Sequence, residues 1–131
     1  MNLDHYEPFS PLQGVPINIY LYSIKHEANV LTIVMATYPN DGNRYIQVSF
    51  RGCFTYRYTL ESGRMKFLSE ETWTNPFNVS SNSKYLNWFK EEGYGIFDDY
   101  DLKHYLLVCD DLIDVISATE PKVEWIPEPT A

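Results

Sequence analysis

Three carboxylates crowd into residues 98–101 (Asp98, Asp99, Asp101) and three more into residues 110–114 (Asp110, Asp111, Asp114). Grouped acids can hold a hard cation, share protons in acid–base chemistry or face a basic partner, and their spacing selects among these. Counted from Asp99 as the first position of a calcium loop, position five is Lys103 and position six is His104, so a ligand and the turn glycine are both missing. Counted from Asp98, position three is Tyr100. No metal is expected there. Asp110 and Asp111 stand between two apolar runs, where aspartate is a turn former. Asp114 lies inside Ile113-Asp114-Val115-Ile116, on the face of Ile116, and reads as an exposed strand residue.

The other chemical side chains offer less. A nucleophile needs a base within hydrogen-bond reach. His104 and Cys109 differ in parity, so one strand points them to opposite faces. There is no G-x-S-x-G, H-E-x-x-H, Walker-type loop or C-x-x-C, so no catalytic residue and no cofactor is expected. Cys53 and Cys109 read as reduced thiols that pack as small apolar groups. Arg51 and Arg57 project from the polar face of a long strand-like run, with Arg44 beside its start. They suit either a carboxylate or phosphate ligand or, more simply, cross-strand pairing with an acidic neighbour.

The elements that position these residues are mostly strands. Residues 1–16, with Pro8, Pro11, Gly14 and Pro16, form an irregular lead-in. Residues 17–25 alternate, residues 30–38 are apolar almost throughout and suit a central strand, and 39–43 make a turn. Residues 45–60 alternate over a length that needs a bend, for which Gly52 is placed. Residues 62–73 suggest a short helix capped by Ser62, and 74–82 a polar loop. Ser83 caps the clearest helix, in which Tyr85, Leu86, Trp88 and Phe89 share a face and Gly93 gives the stop. Strands at 102–109, 112–118 and 122–126 follow, then a flexible tail at 127–131. The expectation is one α+β domain: an antiparallel sheet of about six strands with one or two helices on a face or edge.

Charge is distributed unevenly along this chain. Residues 91–131 carry 11 acids against Lys103 and Lys122, a net of −9, whereas residues 1–90 carry 7 acids and 8 bases, and the whole chain is −8. Such a balance disfavours nucleic acid and anionic membranes and favours basic partners. No run of residues reaches membrane-spanning length, and the first residues lack the pattern of a leader, so a cytoplasmic protein is expected.

Phe50-Arg51-Gly52, Tyr56-Arg57, Leu102-Lys103-His104-Tyr105, Ile113-Asp114-Val115-Ile116-Ser117 and Glu120-Pro121 resemble a run found in small uncharacterised bacterial proteins, some of which resemble immunity proteins encoded beside polymorphic toxins. The resemblance covers roughly residues 45–126 and implies a cytoplasmic binding protein without catalysis. The expected function is a stoichiometric binder of a basic protein, such as a nuclease-like toxin domain. Its partner surface would combine Asp98, Asp99, Asp101, Asp110, Asp111 and Asp114 with the aromatic anchors Tyr94, Phe97 and Tyr100. Two alternatives stand beside it: a tyrosine-lined pocket gripping a small anion through Arg51 or Arg57, and a homo-oligomeric structural protein pairing an edge strand.

Overall fold

The computed structural model describes residues 5–69, 73 and 75–130. The fold is α+β and mainly antiparallel, and among the described residues it has nine strands in two sheets rather than about six in one. The first sheet runs β1 (Glu7–Pro8), β6 (Phe77–Ser80), β7 (Lys103–Val108), β8 (Leu112–Ser117), β5 (Cys53–Thr59). The second runs β2 (Ile19–Glu27), β3 (Val30–Thr37), β4 (Tyr45–Phe50), β9 (Lys122–Ile126).

The inner faces of both sheets share one core. Leu31, Ile33, Met35, Ile46, Val48 and Phe50 from the second sheet meet Phe77, Tyr105, Leu107, Ile113 and Val115 from the first. The Phe50 and Tyr105 rings bridge the layers at 5.4 Å. A third layer covers the outer face of the first sheet. There the helix α2 (Lys84–Glu92) lays Tyr85 and Leu86 against Leu102 and Ile116. Ser83 caps α2 as expected, accepting the Leu86 amide at 3.1 Å.

The strand expected over residues 45–60 is two strands, β4 and β5, and they belong to different sheets. The chain crosses between layers at Gly52, where a Cβ would lie 2.8 Å from the Thr119 hydroxyl and 3.2 Å from its amide nitrogen. The Gly52 carbonyl accepts the Ala118 amide. Beyond the crossing, a bulge at Phe54 reverses the alternation. Phe54 therefore joins Phe89 and Phe97 outside the sheet, while Tyr56 packs on the core.

Two further expectations change. The polar loop at 74–82 contains β6, whose outward positions Asn78 and Ser80 are buried beneath the outer layer. Polar residues on a buried face are what made the segment read as a loop. The helix expected at 62–73 begins instead as a 3-10 turn, Glu61–Arg64, entered from Leu60, and continues as α1 (Met65–Ser69). Its portion at 70–72, like residues 1–4, 74 and 131, lies outside the described residues. Among the described residues no helix is long and apolar enough to cross a membrane.

Candidate functional site

The chemistry of this chain converges on Asp114. Its position in β8 faces outward, toward the helical layer, but the side chain is fully buried instead of exposed. A carboxylate can be held there only if its lone pairs are taken up. β5 lies beside β8 with Arg57 directly across from Asp114, and Arg57 Nε donates to Asp114 Oδ2 at 2.9 Å. Arg64, from the turn leading into α1, donates Nη1 to the same oxygen at 2.8 Å. On the other side β7 supplies His104, whose Nε2 lies 2.7 Å from Asp114 Oδ1. An ionised carboxylate only accepts, so Nε2 carries the proton. Burial alone would raise this carboxyl, but the hydrogen bond and charge of His104, then of Arg57, hold it well below the usual carboxylate range.

The network continues into the helix cap. His104 Nδ1 lies 2.6 Å from Ser83 Oγ, with one proton between them, and Ser83 Oγ also accepts the Leu86 amide in the first turn of α2. Serine, histidine and aspartate in this order suggest a nucleophilic triad, but both Ser83 and His104 are wholly buried. A nucleophile must reach its substrate. These three residues instead fix two arginines and the start of α2 in one rigid frame.

Above that frame opens a cleft of about 710 Å³ between α1 and α2, floored by β5. Its cationic lining residues are Arg57, Arg64, Lys66 and Lys84, and among the described residues no acid joins them. Arg57 is stacked 4.2 Å over the Tyr85 ring and Arg64 4.4 Å over Phe67. Each guanidinium has five N–H donors, of which one is directed at Asp114. The planes are thus set by ring and carboxylate while further donors remain for a ligand. Trp88, half exposed, stacks parallel to Tyr85 at 5.7 Å and completes one wall.

The nine residues expected to form one partner surface are not brought together. Asp98, Asp99 and Asp101 are exposed on the turn-rich loop before β7, and Asp110 and Asp111 lie beyond its far end. Six residues of strand, about 20 Å, separate the two groups. Asp110 accepts the Leu21 amide of β2, and Asp111 accepts the Tyr58 hydroxyl and the Glu61 amide. This turn therefore ties the two sheets and the entry to α1. Asp114, fully buried, contributes to no surface. Phe97 is partly buried against Phe54 and Phe89, whereas Tyr94 and Tyr100 are exposed.

The arginines also separate. Arg57 does pair across strands with an acid, as its position on the polar face suggested. Arg51 lines a different groove with Glu120 and Glu124, and Arg44 stacks on Trp125. Burial raises both thiols, Cys53 to about 11 and Cys109 to about 12, and neither is in a disulfide. Sequence reasoning missed Arg64, Lys66, Lys84, Ser83 as a ligand of histidine, and His104 as a ligand of Asp114. One signal was present for the core of the site: a charged residue inside an otherwise apolar strand requires partners.

Comparison with known proteins finds no matching family model, no matching curated protein and no matching solved structure.

Proposed function

We propose that this protein is a binding domain for a small anionic ligand, held in the cleft between α1 and α2. The observation that carries the reading is the pair of guanidiniums anchored on buried Asp114 and opening into a cleft lined by cations, in a chain whose net charge is −8. Fixed arginines bind phosphate or carboxylate with little ordering cost, and the cleft is within the usual size of a ligand site. Calorimetric titration with inorganic phosphate and citrate at low salt tests it. Saturable one-to-one binding, weakened about tenfold in exposed Lys66→Gln, is the expected result by loss of one charge contact. Heats equal to dilution for both anions would remove the reading.

A second reading is a stoichiometric binder of a basic protein, such as a nuclease-like toxin domain. It is favoured by the loop before β7, where Tyr94 is 97% and Ile96 71% exposed beside Asp98 and Asp99. Apolar anchors ringed by charge are typical of a protein interface. Interferometry against a panel of basic nuclease domains should give binding that is lost in Ile96→Asp; binding to none of them counts against it.

A further inference from the structure

We infer that the anion taken by the cleft is the phosphate of a nucleoside monophosphate, whose base lies on Trp88. This rests on the anion-binding reading above and specifies the rest of the ligand. Three features of the cleft point to it.

The first is the exposed indole. Trp88 is 50% exposed, yet it is held parallel to Tyr85 with an interplanar angle of 6°. One of its faces is thus backed by a fixed ring, and it lines the cleft. A flat, pre-oriented π surface at low conformational cost is what a nucleobase stacks on.

The second is the distance between charge and ring. The Arg57 guanidinium and the Trp88 indole both pack on the Tyr85 ring, at 4.2 Å and 5.7 Å from its centre, which places them no more than about 10 Å apart. A ligand that satisfies both carries an anionic group and a planar group within that span. A phosphate on the 5′ carbon of a nucleoside meets that requirement, and a simple dicarboxylate does not.

The third concerns size and charge. A cleft of about 710 Å³ holds one such molecule and not a strand of them. The acidic balance of the whole chain opposes a polynucleotide, whose binding requires many phosphate contacts over an extended basic surface. A single phosphate can be neutralised locally by Arg57, Arg64 and Lys66 while the remaining surface stays acidic.

The test is calorimetric titration of the full chain with four probes: adenosine 5′-monophosphate, ribose 5-phosphate, adenosine and inorganic phosphate. The expected result is that the nucleotide binds at least about tenfold more tightly than ribose 5-phosphate, the usual effect of one stacked base. Trp88→Ala, a change at a half-exposed helix position, should abolish that advantage and bring the nucleotide down to the affinity of ribose 5-phosphate. If the nucleotide binds no better than ribose 5-phosphate or inorganic phosphate, the nucleotide assignment is overturned while the anion site stands. If adenosine matches the nucleotide, the phosphate is irrelevant and both readings fall. Equal loss of all phosphate ligands in Trp88→Ala would also overturn the stacking role.

Discussion

Asp114 and the trio Asp98, Asp99 and Asp101 are the same residue type on one stretch of 17 residues, and they occupy opposite physical extremes. Asp114 has no exposed surface and accepts from two arginines and a histidine. The trio stands in solvent on a loop, with no ion pair among the described residues. A carboxylate's role is therefore set by what the fold places around it. In the outer layer an acid is a framework that aims cations at a cleft. On the loop it is free charge, available for encounter and of little consequence for stability.

The largest effect is expected at Asp114. Asp114→Asn removes the charge that balances Arg57 and Arg64 and leaves Arg64, only 13% exposed, without its counter-ion. Breaking such a buried set costs about 3–5 kcal/mol, to be read by urea denaturation. Acid titration reads the same carboxylate. Because the folded carboxyl is held below its unfolded value of about 3.9, its contribution is complete above that pH and is lost as pH falls toward the folded value. The wild-type protein should lose stability from about pH 4 downward, and Asp114→Asn should show a flatter acid limb. Ser83→Ala removes the cap of α2 and the Nδ1 partner of His104 together, for about 1–2 kcal/mol. A value near zero would mean that the cap and the network are uncoupled from folding. The smallest effect belongs to the loop: Asp98/Asp99/Asp101→Asn should change stability by no more than about 0.5 kcal/mol.

Much of the fold was legible because local rules acted alone. The Ser83 cap, the hairpin from β2 to β3 and the strands β7, β8 and β9 follow from capping, turn chemistry and alternation. The separation into two sheets was not legible. A strand keeps its alternation up to Gly52 whichever layer comes next, and the packing of Thr119 against that glycine is a long-range fact. The site was legible in halves. Parity placed Asp114 and Ile116 on one face, and Arg57 on a face suited to pairing with an acid. What brings His104 to Ser83 is the pairing of β6 with β7, and β6 was hidden by the polar residues of its outer face. Arg64 sits in a 3-10 turn without periodicity, so nothing local aimed it at Asp114.

The chain visits its two sheets alternately: β1 in one, β2 to β4 in the other, β5 to β8 back in the first, and β9 in the second again. Neither sheet can be completed before most of the chain is present, so folding is dominated by distant pairings and belongs in the slow range of milliseconds to seconds. Until Lys122–Ile126 arrives, the Tyr45–Ser49 stretch is an open edge bearing Ile46 and Val48. The last strand thus acts as a closing seal, and a nascent chain that lacks it is the form most exposed to aggregation.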